Sequence, residues 1–355
     1  MGGSSSAWAE RVLQLLSRMN SFHMQGSSKA LCRPFYVASH EVGVVQPRLF
    51  PLLSRYPEVF HVSDGAQGRV ELSSRLCTYE QRSGAIERTL TDWRQEELFS
   101  CLRSWRNEKY QVMQRFSDTP LLGMERSAIG LFGVKSYGVH VNGYVRHGDG
   151  LSMWIGRRTH NKETFPGRLD NLVAGGLGAG FGVKETLIKE CAEEACIPES
   201  IAEMAKPAGT ISYTYEDEWG VFPECQFVYD LEVPVDFVPK VGDGEVLEFY
   251  LWPLEQVREA IAGSDFKPNC AMVVLDFLIR HGTLDADDVP DQLCLVKHGR
   301  CGFPCSGVTI FRQAPTPSEP CRPTPPSSLP RQKKNWRFSG AFHLTSLHTA
   351  RSHKH

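Results

Sequence analysis

Hydrophobic positions recur along the chain with two periods, and the change from one to the other divides it. Near the start, Val12, Leu15, Leu16 and Met19 stand at helical spacing, which predicts an amphipathic helix. Leu98, Leu102 and Trp105 follow at i, i+4 and i+7, predicting a second helix, one that covers a small sheet. From Val139 the pattern shortens: VHVNGYV and LSMWIGRR, joined across HGDG, predict a β-hairpin. Further strands are expected at TISYTY from Thr210, QFVYDLEV from Gln226 and VLEFYLW from Val246, with helices at LEQVREAI from Leu254 and AMVVLDFLIR from Ala271. Strands interleaved with a few helices give an α/β (α+β) architecture in which helices sandwich a mixed sheet.

Glycines punctuate LFGVKSYG between Gly130 and Gly138, a linker signal. It separates a smaller α+β domain at 8–130 from a second domain at 134–298. After Cys301 the composition turns to QAPTPSEPCRPTPPSSLP and then to a basic end. Such a tract buries too little apolar surface to fold, so 301–355 is expected to be a disordered tail.

The chain has 355 residues, with 39 basic against 41 acidic side chains and a formal net charge of -2. That balance offers no electrostatic footprint for nucleic acid. No apolar run reaches the length of a membrane span. Eleven cysteines are scattered without paired CxxC motifs, which suits free thiols in a reducing compartment better than a zinc site. The opening MGGSSSAWAERVLQLLSRMN lacks the apolar core of a secretory signal. A cytoplasmic protein is expected; two arginines in that stretch keep mitochondrial import as the alternative, and Gly2 with Ser6 matches a short myristoylation pattern.

The most informative stretch is GGLGAGFGVKETLIKECAEEACI, Gly175 to Ile197. On a helix Glu190, Glu193 and Glu194 fall on one face, and Leu187, Ile188, Cys191 and Ala195 on another. Like charges at i, i+3 and i+4 repel and stand at the unfavourable end of the macrodipole. A bound cation removes that penalty, and magnesium takes oxygen ligands shared with substrate phosphates; a solvated acidic face is the alternative. Gly175 and Gly176 open a loop whose backbone can approach a ligand closely, and amides at the following helix start favour phosphate. Loop and helix together are complementary parts of a diphosphate site.

This segment resembles the Nudix hydrolase signature, G-x5-E-x7-R-E-U-x-E-E-x-G-U, where U is aliphatic. Lys189 and Glu190 fall on its Arg-Glu pair, Glu193 and Glu194 on its paired glutamates, and Ile197 on its last aliphatic residue. The departures are Phe181 for the first glutamate, Lys189 for arginine, Cys191 for an aliphatic residue and Cys196 for the last glycine. Glu185, four residues before Lys189, stands where it can pair with that lysine. WIGRR, PGRLDNLVAGG, GEVLEFYL and FKPNCAMVVLDFLIRHG extend the resemblance to the thiamine pyrophosphokinase-related Nudix branch. RSGAIER and SWRNEKY are similar to its N-terminal DUF4743 domain, so that the likeness spans about residues 13 to 298.

The resemblance implies a Nudix α/β/α sandwich and a diphosphatase that uses Mg2+, with Mn2+ as the alternative ion. It also implies a small-molecule diphosphate substrate: thiamine diphosphate and, preferentially, its oxidised or toxic analogues such as oxothiamine and oxythiamine diphosphate, cleared as metabolite repair. Glu190, Glu193 and Glu194 are thereby the implied catalytic and metal-binding residues. Glu245, beside the glycine turn in GDGEVLEF, is the candidate extra metal ligand, with an ordinary solvent-facing glutamate as the alternative. Arg157 and Arg158 end a strand, where alternation sends one toward the site to fork onto phosphate and the other away. Asp170 and Asn171 are candidates to orient substrate or to cap a turn. Trp219, on a polar turn between strands, is placed either to stack on a heterocycle or to anchor the loop. Alternative functions are hydrolysis of another nucleoside diphosphate such as ADP-ribose and a non-catalytic Nudix binding module. Oligomeric state is not encoded legibly.

Overall fold

A computed structural model describes residues 3–284 apart from 66 and 149, together with the backbone of 295–296 and 309–311. In the N-terminal part, helix α1 (Gly3–Met19) precedes a four-stranded sheet of β1 (Arg33–Val37), β2 (His40–Val45), β3 (Phe60–Val62) and β4 (Val70–Leu72). The strand order is β2-β1-β4-β3, with β1 and β4 parallel. Helix α2 (Tyr79–Gln95) covers it, and a hairpin of β5 (Lys109–Val112) and β6 (Leu122–Glu125) follows. Helix α2 begins at a capping box: Thr78 Oγ1 accepts the Gln81 N–H at 3.2 Å while Gln81 Oε1 accepts the Thr78 N–H at 3.2 Å, satisfying otherwise orphan amides. Its buried Trp93 stacks on Phe132 at 6.1 Å, and Phe132 in turn on Phe60 at 5.9 Å.

The second domain is built on β7 (Ser136–His147), β8 (Gly150–Arg158), β9 (Leu169–Asp170), β10 (Val173–Gly176), β11 (Lys206–Glu216), β12 (Val221–Glu232) and β13 (Val246–Pro253). Its helices are α3 (Val183–Ala195), α4 (Leu254–Ile261) and α5 (Pro268–Arg280). The main sheet runs β13-β8-β7-β12-β11, with β7 and β12 parallel and β10 paired antiparallel to β7. Residues 136–145 of β7 are all buried because both faces of this strand are covered. Val139 and Val141 face α3, whereas Tyr144 faces the core that α4 and α5 share. The sandwich is therefore helix, mixed sheet, helix, as expected.

Three expectations need correction. The helix over Leu98–Trp105 does not form: α2 ends at Gln95, Glu97 takes a left-handed φ of 52°, and Ser100–Ser104 is only a 3-10 turn. The stretch 130–138 is no exposed linker, since Leu131, Phe132 and Val134 are buried in the N-terminal core. Apolar side chains there gain more by packing than glycine's freedom loses. In the tail, the backbone of Thr309–Phe311 pairs antiparallel with β11. The remainder of 301–355, including Cys301 and Cys305, lies outside the described residues, as does Gly2.

Helix α1 forms as predicted but packs away from the domain that follows it. Trp8, Val12, Leu16 and Met19 are buried in the same core as Phe277, Val257 and Ile261, and Trp8 Nε1 donates to Arg258 O at 2.8 Å. The chain thus contributes a helix to the core of the second domain before building its N-terminal domain. Trp8→Ala is expected to lower stability by about 3 kcal/mol through lost burial and the cavity left behind. Chemical denaturation checks this, and an unchanged midpoint would show that α1 is dispensable.

Candidate active site

The site is organised where β10 hands over to α3. Ala174 N–H donates to Glu194 Oε2 at 3.0 Å, which pins the acidic helix to the strand. A Cβ on Gly175 would collide with the Glu190 carboxyl, and one on Gly176 with the Tyr110 hydroxyl. These two glycines are needed first so that protein side chains can lie against their backbone. The loop ends with Gly180 at a φ of 95° and Gly182, whose N–H donates to Glu185 Oε2 at 2.9 Å. Glu185 is therefore spent on the helix start rather than on Lys189.

The acidic stripe is graded in depth. Glu193 is exposed, Glu190 half-buried and Glu194 buried. Burial pushes the Glu194 carboxyl well up, and the negative charges of Asp170, Glu190 and Glu245 add to the shift. Burial also raises Glu190, against the pull of Lys189. Lys189 Nζ sits between two of the acids, 3.1 Å from Glu190 and 2.6 Å from Glu193. The repulsion expected of the bare stripe is thus met in part by an internal ammonium. Glu245 lies just ahead of β13 and forms an ion pair with Lys162. Burial works to raise its carboxyl, but Lys162 outweighs this and leaves it lowered.

Among the described residues, no group of three or more His, Cys, Asp or Glu converges as a ready-made metal cage. The donor chemistry nevertheless fits a hard divalent cation: all donors are carboxylate oxygens, and Glu190 and Glu193 already share one positive charge. Magnesium in particular is held by one or two carboxylates plus waters and substrate phosphates rather than by a full protein cage. Glu190, Glu193 and Glu194 are the side chains that can hold it, with Lys189 moved aside.

A cavity of about 640 Å³ opens against this junction, lined by Gly175 and Gly176. Its walls come from both domains: Tyr110, Arg106 and Arg126 from the N-terminal domain, and Tyr213, Tyr215, Trp219, Glu224, Gln226 and Lys267 from the second. The N-terminal domain also holds the glycine loop directly, because Ala179 N–H donates to Lys109 O at 2.7 Å. Trp219, on the β11–β12 turn, both lines the cavity and packs against the N-terminal core.

Of the sequence candidates, Gly175, Gly176 and Trp219 line this cavity, whereas Glu190, Glu193, Glu194, Glu245, Arg157, Arg158, Asp170 and Asn171 do not. Arg157 is bonded to Asp265 at 3.0 Å, to Gly167 O at 2.7 Å and to the Tyr250 hydroxyl at 3.2 Å. Arg158 is buried, bonded to Asp170 at 2.9 Å and to the carbonyls of Thr164 and Phe165 at 2.9 and 3.1 Å. It thereby fixes a loop that does line the cavity. Asp170 accepts from Arg158, Lys267 and Cys270. Burial alone would raise it, but Lys267 and Arg158 hold it well below the usual carboxylate range. Asn171 Oδ1 meets His140 Nδ1 at 2.8 Å. Both residues belong to a buried network rather than to a surface turn. The cavity's own cations, Arg18, Arg106, Arg126 and Lys267, carry no local motif; only the fold gathers them.

Residues 11–136 match the family described as DUF4743, a domain of unknown function, and residues 136–270 match the NUDIX domain. The chain is 39% identical over 256 residues to Nudix hydrolase 20, chloroplastic, of Arabidopsis thaliana, covering 70% of this chain and 68% of that protein. It is 37% identical over 270 residues to Nudix hydrolase 24, chloroplastic, of the same plant, covering 76% and 73%. Among solved structures, the MutT protein of Methanosarcina mazei Go1 is 17% identical, with a TM-score of 0.34 over 42% of this chain and 96% of that one. The chain belongs to the Nudix hydrolase family, with a DUF4743 domain ahead of the Nudix domain. It is a hydrolase of diphosphate bonds, from a family whose members generally use a divalent metal ion. Among the described residues no helix is long and apolar enough to cross a membrane.

Two predictions follow from the local geometry. Cys196, at the position of the signature's last glycine, caps α3 in the left-handed region at a φ of 50°, where a side chain costs about 1–2 kcal/mol relative to glycine. Cys196→Gly should raise the denaturation midpoint, by about 1 kcal/mol in stability; a lower midpoint would contradict the cap's strain. Buried His140 is held neutral, its pKa lowered by burial and by Lys267 to about 4. A base lowered in the folded state contributes stability above its unfolded pKa and loses it as pH falls. Between about pH 7 and about pH 5 this group should cost about 2 kcal/mol, a slope that His140→Gln flattens.

Proposed function

We propose that the protein is a magnesium-dependent diphosphatase that hydrolyses thiamine diphosphate and, preferentially, its oxidised or toxic analogues to monophosphates, a metabolite-repair role. Manganese is the alternative ion. The observation that carries this reading is the joint cavity, whose lining combines an aromatic wall and several cations with Ala174, Gly175 and Gly176, the strand on which Glu190 and Glu194 rest. An aromatic wall suits a flat heterocycle, and Arg106 and Arg126 suit a diphosphate. The cytoplasm is the proposed compartment, in keeping with the free thiols of all seven described cysteines.

In this reading Glu190, Glu193 and Glu194 would hold the metal, with Glu245 as the candidate further carboxylate. When bound, the metal withdraws charge from the phosphoryl oxygens and makes water a better nucleophile. The chain's own residues position the reactants. Tyr110 and Trp219 confine the ring, the arginines orient the phosphate chain, and a glutamate of the stripe takes the proton of the attacking water. Arg158 and Asp170 act at a distance from substrate, holding the Thr164–Phe165 loop and Lys267 in place.

A second reading, a non-catalytic binding module, is favoured by one observation: Lys189 already neutralises Glu190 and Glu193. Phosphate release distinguishes the two. With Mg2+ present, thiamine diphosphate and its oxothiamine and oxythiamine counterparts should be turned over faster than ADP-ribose. Glu193→Gln should lower turnover at least about a hundredfold without changing the melting temperature. Release from none of these substrates would favour the binding module, and near-normal turnover by the variant would remove Glu193 from the metal site.

A further inference from the structure

One group of cavity residues has no part in holding metal or phosphate. Glu224 and Gln226 stand two apart on β12, so they share a face of the sheet, and both line the cavity beside Tyr213. Their orientation is fixed by an internal triangle. The Tyr213 hydroxyl donates to Glu224 Oε2 at 2.5 Å, and Gln226 Nε2 donates to the same oxygen at 2.8 Å and to the Tyr213 oxygen at 2.9 Å. Every donor of the triangle is thus turned inward. Glu224 Oε1 has no hydrogen bond among the described residues, and Glu224 has no ion-pair partner among them within 4.0 Å.

The same bonding leaves a second acceptor unfilled. Gln226 is buried and its Oε1 has no hydrogen bond. Its neighbour His140 cannot supply one in the neutral form. Asn171 Nδ2 donates to Asn142 Oδ1, so Asn171 Oδ1 faces His140 Nδ1 and takes its proton. Nε2 is then an acceptor. The Glu224 carboxylate oxygen therefore stands in the cavity wall with no protein donor, whereas the Gln226 amide oxygen is sealed from solvent on the side of Gly138. Leaving such groups unmatched is costly. A ligand with N–H donors or positive charge along one edge matches the carboxylate. A phosphate does not, because the carboxylate repels it.

We propose that Glu224, held in place by Tyr213 and Gln226, reads the N–H donors along one edge of a heteroaromatic ring, and that it is the specificity-determining residue of the cavity. The inference rests on the diphosphatase reading above and adds the part of the substrate that is recognised. The ring's donor edge meets Glu224, its face lies among Tyr213, Tyr215 and Trp219, and its diphosphate extends toward Gly175.

The test compares the full-length wild type with Glu224→Gln on three magnesium-loaded probes: thiamine diphosphate, oxythiamine diphosphate, in which an oxo group replaces the amine, and an alkyl diphosphate with no ring. Binding of thiamine itself, which has no phosphate, is measured in parallel by calorimetry. The variant should lose at least about tenfold in kcat/KM on thiamine diphosphate, chiefly through KM. It should lose less on oxythiamine diphosphate and nothing on the alkyl probe, and it should bind thiamine at least about tenfold more weakly. Tyr213→Phe, which removes one bond from Glu224 and keeps the wall's shape, gives the same pattern at smaller amplitude and serves if Glu224→Gln fails to fold. Equal losses on all three probes, or thiamine binding indifferent to the substitution, would overturn the inference. Thiamine binding that depends on Glu224 without hydrolysis of any probe would uphold it and count against the diphosphatase reading instead.

Discussion

The hydrogen bond from the Ala174 amide to the Glu194 carboxylate is the contact on which the site depends. It is short-range and local, yet it fixes the rotation of α3 about its own axis. With Glu194 turned inward, Glu190 comes to rest on the bare backbone of Gly175 and Glu193 turns outward. Any other rotation would bury Glu193 or expose Cys191, which lies fully within the core. The acidic stripe is therefore a consequence of packing on the apolar side and one backbone bond on the polar side.

This junction also explains the integration of the N-terminal domain. Its β5 strand supplies Lys109 O to the glycine loop and Tyr110 to the face of Gly176, and Val221 N–H at the start of β12 bonds Gly130 O at 2.9 Å. Helix α1, at the other end of that domain, is part of the Nudix core. The chain thus closes the cavity from two directions with residues that precede the Nudix domain. A Nudix domain cut free at residue 136 would lose both a wall of its cavity and a helix of its core.

Much of this was legible in the sequence because it follows from periodicity. The β7–β8 hairpin, the strands from Thr210, Gln226 and Val246, the two last helices and the glycine-to-glutamate segment all form where the patterns place them. What escaped depends on contacts between distant segments. The helical spacing at Leu98, Leu102 and Trp105 is real, but Glu97 breaks the helix just ahead of it. Arg157 and Arg158 look free on paper, because Asp265 and Asp170 reach them only in the folded sheet. Glu224 sits in a strand run of mixed polarity, and nothing in that run announces that its carboxylate faces a cavity. Lys189 was readable as the signature's basic residue, though not as a cation lodged between two acids.

The most direct measurement is anomalous diffraction from crystals of the full chain soaked with Mn2+ and a non-hydrolysable diphosphate. The account predicts a manganese peak within coordinating distance of Glu190, Glu193 and Glu194, with the Lys189 ammonium displaced and the phosphate chain running into the cavity from Gly175. Lys189 still bridging Glu190 and Glu193, with no manganese on the helix, would contradict it.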